Sequence, residues 1–557
     1  MNTTIILFSI CWFALCFYKL KFSLHMIQIE GYKNEKYIEW TEKNKDKIYT
    51  QKDKIYTVLC IINTVFFLFA VTKDNDNYNQ YVLAASLFTS LLLLLNYKTK
   101  YTSKKPLVFT PRAKRLFAIA LGLTIIDFII VILLVYLVSK DFIKFFPLWS
   151  GILSIVYFFS SYYIIGANYI ARPIENNIHK KFYNTAANKI KDMEGSLISV
   201  GITGSYGKTS TKFAAATIIK EKYNVLNTPD SYNTPMGLSK IINDELTYEH
   251  DVFIAELGAT KIGDIAEVAA LTNPKIGIIT SIGPCHLETF KSIDNIMRTK
   301  YELIENLPDD GVAIFNYDNE HVKKLADKTF KEKLLYGINN IENTDVFATN
   351  IVVSNTGSKF TLCINGLGTI ECETKLLGEH NILNVLAGAA AAKVLGLTLN
   401  EIKNGIAKIE NVEHRLQLID PGTGVIVIDD AFNSNPDGAK AALNVLSSFK
   451  DKRKIIVTPG MIELGEQEEI ENEKFGENIA LVCDIAILVG KKQTVPIQNG
   501  LRKHGFYEEN LYVVNSLKEA TKVLKSLTKV NDVVLFENDL PDTYNENWWR
   551  LLWKELV

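Results

Sequence analysis

The sequence predicts an N-terminal α-helical transmembrane bundle followed by two α/β domains, the first with a parallel or mixed sheet and the second Rossmann-like. Three observations carry this. Apolar residues gather in five runs ahead of residue 168. A β-branched strand turns through glycines into a helix at residues 199–210. Alternation of strand and helix then continues to the end of the chain and restarts past Asn411. At 557 residues the chain exceeds a single hydrophobic core. The divisions expected are a membrane module at 1–170, a helical tether at 171–196, a central domain at 197–412 and a C-terminal domain at 413–557.

The apolar runs are residues 3–18, 55–71, 81–95, 116–138 and 142–167. Each is near the length that crosses about 30 Å of hydrocarbon, the first three at the short end. The first lacks a basic n-region and a small-residue cleavage site, and further runs follow it, so it reads as a span and not a signal peptide. Loop charge sets the orientation. Lysines crowd the first loop from Lys19 to Lys54, and basic residues return from Lys98 to Arg115. The second loop has only Lys73, and the fourth only Lys140 and Lys144. The positive-inside rule then puts the N-terminus outside and everything after Ala167 in the cytoplasm of a multi-pass membrane protein. Asp127 falls inside the fourth run, where a carboxylate either pairs within the bundle or marks a polar pathway.

In the α/β part, strands are expected at 197–202, 252–257, 275–280 and 312–315, with a small antiparallel extension at 359–364 and 368–373. A small-residue helix over 380–395 ends at Gly396, a natural C-cap. The second series places strands at 425–428, 454–458, 485–489, 511–514 and 533–536. Lys plus Arg total 61 and Asp plus Glu 62, so charge gives no argument for a nucleic-acid partner. The seven cysteines are scattered, which supports neither a disulfide framework nor a zinc site.

The chemistry starts at Thr203, Gly204, Ser205, Gly207, Lys208, Thr209 and Ser210. A strand that turns through glycines into a helix N-terminus aims backbone N–H groups and the helix dipole at an anion, the geometry of a P-loop ATPase-type phosphate cradle. Lys208 would reach the terminal phosphates and the Thr209 hydroxyl would meet Mg2+. The spacing is compact, T-G-x-x-G-K-T, without the longer gap of the common motif. Glu256 closes a strand, where open α/β sheets place ligand residues, and can hold Mg2+ directly or serve as a helix N-terminal charge. His286 and Glu288 follow another strand end; on chemistry alone His286 is a weaker magnesium ligand than an oxygen donor.

The ordered series formed by the phosphate loop, Glu256 to Ala259, His286 to Glu288, Lys300 to Glu302, Gly378 to Asn384, His414–Arg415 and Asp429 to Pro436 resembles the Mur ligase family, and within it the D-alanyl-D-alanine-adding branch. The resemblance covers about residues 195–530. It implies that Lys208 contacts the ATP phosphates, that Thr209 and Glu256 bind one Mg2+, and that His286 serves a second. It implies that Lys300 is carbamylated, which would turn an ammonium into an anionic oxygen donor suited to a hard cation. Asn381 and Asn384 would approach the nucleotide base, and Arg415 and Asp430 would contact ATP from the hinge and the second domain. The implied reaction is ATP-dependent amide formation: a carboxylate takes the γ-phosphoryl group, and an amino acid or dipeptide amine displaces phosphate.

Two features depart from the family. The roughly 25 residues between Arg172 and Leu197 are too few for the domain that holds a UDP-linked sugar-peptide in soluble members. Either the UDP-linked substrate is bound differently or the acceptor is a lipid-linked cell-wall precursor. At the C-terminus, Glu537-Asn538-Asp539 stands where a Lys-Gly-Ser-Arg-like stretch is usual, which opens the identity of the amine: the acids either recognise an ammonium group or cap a helix. The tail from Trp548 to Trp553 reads as a terminal helix packed on the domain or as an interfacial contact. Besides cell-wall precursor ligation, the alternatives are a ligase for another wall polymer of the poly-γ-glutamate kind, and a membrane nucleotide-binding partner or sensor without ligation.

Overall fold

The structure is a computed structural model that describes residues 2–71, 76–95, 106–139, 146–229, 231–285, 287–354, 357–419, 422, 424–431, 434–462 and 464–538. His286, Asp539 and the tryptophan-rich tail lie outside the described residues. The chain divides into two compact units, with the boundary after Ile178.

The first unit is helical: α1 (Asn2–Ile29), α2 (Asn34–Lys43), α3 (Lys45–Ile48), α4 (Gln51–Val71), α5 (Asp76–Leu95), α6 (Pro111–Ser139), α7 (Phe146–Phe159) and the start of α8 (Tyr163–Asp192). The described residues of all five apolar runs fall on helices. The last is divided by a 3-10 turn at Ser160–Tyr162, and the segment expected as a tether continues α8. Three stretches among the described residues are long and apolar enough to cross a membrane: Ile5–Ile29, Pro111–Leu137 and Leu148–Asp192; Ala84–Leu95 is a shorter apolar helix. α1 packs on α5 and α6, and α4 on α5 and α7, around Phe8, Trp12, Trp149 and Tyr157. The outward face of α6 exposes Ile126, Ile130, Leu133, Leu134 and Leu137, an apolar surface that water disfavours.

Three ionisable side chains inside this unit find partners within it, as a low-dielectric surrounding favours. Lys19 Nζ donates to the Phe158 carbonyl at 2.8 Å and lies 4.7 Å from the Tyr157 ring centroid. Asp53 accepts from Thr50 N at 3.0 Å and from the hydroxyl of Tyr157. Asp127 accepts from the Tyr163 hydroxyl, so of its two expected fates the structure shows the paired one.

The second unit holds two sheets. The strands of the first are β1 (Ile198–Thr203), β2 (Val225–Asn227), β3 (Val252–Glu256), β4 (Ile276–Ile279), β5 (Val312–Asn316), β6 (Lys333–Gly337), β7 (Val346–Ser354), β8 (Gly357–Ile364) and β9 (Gly368–Thr374), in the order β2-β3-β1-β4-β5-β6-β7-β8-β9. Pairing is parallel up to β7 and antiparallel through β8 and β9, the expected small extension. Its helices are α9 (Lys208–Ile219), α10 (Pro235–Asp244), α11 (Asp264–Thr272), α12 (Leu287–Phe290), α13 (Ile293–Glu305), α14 (Glu320–Asp327), α15 (Glu379–Val394) and α16 (Leu399–Ala407). One face of the sheet is buried by α9, α15 and α16, the other by α10, α11, α13, α14 and the last turns of α8, which contribute Ala186 and Ile190. Both faces are covered, so the central strands are apolar throughout instead of alternating.

The second sheet contains β10 (Gln417–Ile419), β11 (Ile426–Asp430), β12 (Lys454–Thr458), β13 (Ile485–Val489), β14 (Leu511–Val514) and β15 (Val533–Glu537), ordered β10-β11-β15-β12-β13-β14. All pairs but β10–β11 are parallel, as a Rossmann-like domain requires. Asn435 caps α17 (Pro436–Ser447) by accepting from Gly438 N, with Pro436 at the first helical position.

Small residues set the packing of α9. A Cβ on Gly388 of α15 would come within 2.9 Å of Ala215 N, and one on Gly405 of α16 within 2.5 Å of Ile218 Cα. Both neighbours press backbone to backbone on the helix that starts at the phosphate loop.

Candidate functional site: a nucleotide-sized cavity between two sheets

The carboxyl ends of β1, β3, β4 and β11 meet at a cavity of about 1080 Å3. Ser205, Gly207, Lys208, Thr209, Ser210, Glu256, Asn381, Asn384, Arg415 and Asp430 all line it. Residues more than 200 positions apart in sequence thus share one wall. Thr203 lies beneath the loop and donates its hydroxyl to the Leu257 carbonyl at 3.0 Å. Lys300 is buried in α13 and is not among the lining residues.

The loop is locked from below. Ser205 N donates to the Ser281 carbonyl at 2.7 Å, and the hydroxyls of Thr280 and Ser281 donate to the Tyr206 carbonyl at 2.5 and 3.1 Å. Gly207, at φ +77°, opens α9 in a left-handed conformation that glycine adopts without strain; a Cβ there would sit 2.7 Å from Asn384 Oδ1. Lys208 Nζ folds back to the carbonyls of Gly204 and Ser205 at 2.8 and 3.0 Å. Burial draws the Lys208 ammonium below its ordinary range, against the opposing pull of Glu256.

Glu256 is the electrostatic centre of the cradle. It is 1% exposed, and it accepts from Thr209 Oγ1 at 2.8 Å and Asn233 Nδ2 at 2.9 Å, with buried Lys212 Nζ at 3.6 Å. Asn233 and Lys212 escape a reading of the sequence. Asn233 precedes Thr234, the N-cap of α10, and so looks like helix-start chemistry; Lys212 follows Lys208 by one helical turn, the single hint that both face the same strand end. Asn384 accepts from Thr211 Oγ1 at 3.0 Å and donates to Asn381 Oδ1 at 3.2 Å, tying α15 to α9.

The wall from the second sheet is acidic. Leu416 N donates to Asp430 Oδ1 at 3.1 Å, and Arg415 faces the same carboxyl. Asp430 is the register partner of Glu537 on β15. Burial, with Asp430 beside it, pushes Glu537 well above the ordinary carboxylate range, and Asp430 is raised too, chiefly by burial and against the pull of Arg415. His414 Nδ1 lies 2.7 Å from Asp429 Oδ2. On the opposite side His380 lines the cavity, and burial lowers its imidazole to about 4, so the ring is neutral there.

Lys300 is 2% exposed, its Nζ 6.0 Å from the Phe290 ring centroid. Burial first and the charge of Lys208 second lower it to about 7. An amine with a substantial neutral fraction near pH 7 is a nucleophile where an ordinary lysine is not.

Comparisons with known proteins match this geometry. A family described as the Mur ligase middle domain matches residues 202–392, and one described as Mur ligase, glutamate ligase domain matches 414–537. The UDP-N-acetylmuramoyl-tripeptide–D-alanyl-D-alanine ligase of Escherichia coli (strain K12) is 34% identical over 307 residues, 55% of this chain and 67% of that protein. The enzyme of the same description from Mycobacterium leprae is 30% identical over 369 residues, 62% of this chain and 71% of that one. Among solved structures, MurF from Acinetobacter baumannii superposes with a TM-score of 0.60 at 25% identity, covering 68% of this chain and 80% of that chain.

Proposed function

The chain belongs to the Mur ligase family of ATP-dependent ligases, and from that premise we propose that it is a membrane-anchored enzyme joining a peptidoglycan-precursor carboxylate to an incoming amine through an acyl phosphate. The observation that carries this reading is the convergence of the phosphate loop and Glu256 with Arg415 and Asp430 on one cavity. Relatives named for adding D-alanyl-D-alanine to a UDP-N-acetylmuramoyl-tripeptide support that dipeptide as the first amine to test. For the acceptor, a UDP-linked and a lipid-linked precursor are both compatible with a helical module ahead of the ATP-binding domain. Five spans with the catalytic unit on the cytoplasmic side remain our reading of the first unit, supported by three long apolar helices and by loop charge.

The residues divide the work. Backbone N–H groups at the start of α9 and the Lys208 ammonium receive the phosphates, Lys208 exchanging two carbonyl contacts for the stronger charge of the nucleotide. As the carboxylate attacks the γ-phosphoryl group, negative charge spreads over its oxygens, and preorganised donors stabilise it. Asn381 and Asn384 position the base, while Arg415 and Asp430 hold the nucleotide from the second domain. Closure of the two domains then excludes water from the acyl phosphate until the amine arrives.

The cradle fits a magnesium ion, since the Thr209 hydroxyl and the Glu256 carboxylate are hard oxygen donors already 2.8 Å apart. Bound there, Mg2+ supplies charge neutralisation to the phosphates. Lys300, whose neutral form is already populated near pH 7, is the right substrate for carbon dioxide, and we assign it as the carbamylated lysine that adds an anionic oxygen donor. His286, as the ligand of a second ion, rests on the family resemblance.

The test is product formation by full-length protein in detergent, supplied with ATP, UDP-N-acetylmuramoyl-tripeptide or its lipid-linked counterpart, and D-alanyl-D-alanine. Mass spectrometry is expected to show an amide product and stoichiometric ADP, both lost in Lys208→Ala. Nucleotide binding without amine-dependent turnover would instead favour a sensor.

A further inference from the structure

Lys212 is fully buried and stands outside the lining of the cavity, yet its Nζ lies 3.6 Å from Oε2 of Glu256, a carboxylate that does line it. The Phe213 ring centroid is 4.5 Å from the same nitrogen, so both contacts favour the ammonium form. A buried lysine needs a compensating charge, and here the compensation is the acid that the cradle offers to a metal. Lys208, one turn earlier on α9, also lies within the field of Glu256, while Arg415 is shared between Glu256 and Asp430. The other partners of Glu256, Thr209 and Asn233, are neutral donors. The floor of the cradle therefore sets one negative charge against two lysines, and Lys212, sealed in the core, has no solvent to swing into.

Resting on the ligase reading and its placement of magnesium at Thr209 and Glu256, we propose that Lys212 is a positioning residue, an internal counter-ion that acts through Glu256 and keeps the metal site weak until a nucleotide arrives. Its ammonium neutralises Glu256 in advance, so a divalent cation that reaches the carboxylate alone meets a site without net negative charge. The same fixed charge draws in the phosphates, which bring the negative charge that the metal site lacks. Lys212 thus acts in opposite directions on the two ligands, against the metal and for the polyanion. The cradle is built to take nucleotide and metal together and not to hold a metal idle.

Direct binding tests this apart from turnover. Full-length protein in detergent is titrated without nucleotide with Mn2+, an ion for the same hard oxygen donors that electron paramagnetic resonance detects. The site in question is the one lost in Glu256→Gln; Mn2+ binding unaffected by that change removes the metal placement and the proposal with it. Affinity for ADP is measured calorimetrically with and without the ion. In Lys212→Met, which keeps the length and removes the charge, the Mn2+ site is expected to tighten about tenfold and metal-free ADP binding to weaken about tenfold. Lys212→Arg, which keeps the charge, should stay within about threefold of the unaltered protein in both. A loss of packing alone weakens both affinities, so Mn2+ binding that is unchanged or weaker in Lys212→Met, or equally tightened in Lys212→Arg, overturns the proposal. So does an ADP affinity of the unaltered protein that is the same with and without Mn2+, because linkage then makes the metal as tight without nucleotide as with it; this arm needs no variant. Opposed shifts with no amide product from either precursor uphold the counter-ion and count against the ligase reading, whereas amide product with an unchanged Mn2+ site in Lys212→Met does the reverse.

Discussion

Replacing Gly207 by alanine tests whether the phosphate loop is shaped by steric necessity. The residue sits at φ +77°, where an alanine costs about 1 kcal/mol. Its Cβ would also stand 2.7 Å from Asn384 Oδ1, which already accepts from the buried Thr211 hydroxyl at 3.0 Å. Relieving the clash moves that oxygen away and leaves the hydroxyl unsatisfied, a further cost of about 1–3 kcal/mol. The sum is about 2–4 kcal/mol, so hydrogen exchange of the first amides of α9 should accelerate roughly thirtyfold to a thousandfold. Gly263 supplies the control. It caps α11 at φ +91° with open space around its Cβ position, so Gly263→Ala pays the backbone term alone, about 1 kcal/mol. Affinity for ADP, measured by calorimetry, should fall in Gly207→Ala and hold in Gly263→Ala. Equal exchange rates and equal ADP affinity in the two variants would refute the reasoning.

Other outcomes follow from the same structure. Glu256→Gln should lower turnover about a hundredfold to a thousandfold and weaken magnesium-dependent ADP binding, because one carboxylate gathers Thr209, Asn233 and Lys212; steady-state kinetics and magnesium titration read both. Since Lys300 is lowered to about 7, its neutral form grows as pH rises through 7 and disappears below it. Carbamylation, followed with isotopically labelled bicarbonate, should therefore rise from pH 6 to pH 8 and be absent in Lys300→Ala. Asp532→Ala should destabilise the C-terminal domain by about 3 kcal/mol, read as earlier thermal unfolding, because the 4%-exposed carboxylate receives Arg453 Nε at 3.0 Å, Arg453 Nη2 at 2.6 Å and Lys529 N at 2.7 Å.

Much of this architecture is legible in the sequence because its signals are local. Buried parallel strands such as β3 and β13 are short continuous apolar runs, and the residues of the phosphate loop carry their own backbone geometry in Gly204 and Gly207. What escapes is what depends on distant partners. β2 and β10 are three residues each, too short for a pattern, and β7 is interrupted by a register shift between Thr349 and Val352. The division of the fifth apolar run at Ser160 has no glycine or proline to announce it. Asn233 reaches Glu256 because β3 ends beside the start of α10, a fact of topology. Glu537 stands out in the sequence as an acid in an unusual place, but its pairing with Asp430 appears only when β15 is inserted between β11 and β12.

The two glycine contacts on α9 constrain how the enzyme can move. With Gly388 and Gly405 pressing neighbouring helices onto its backbone, α9 has no room to slide or rotate, and Thr211 and Asn384 pin it near its first turn. The groups proposed for the phosphates and those proposed for the base therefore belong to one splinted body. Any motion that closes the cavity has to be taken up at the joint near His414 and Leu416, two non-glycine residues held at φ +60° and +45°. Two left-handed turns of the chain there, in residues with a Cβ, set the joint apart from the regular backbone on either side of it.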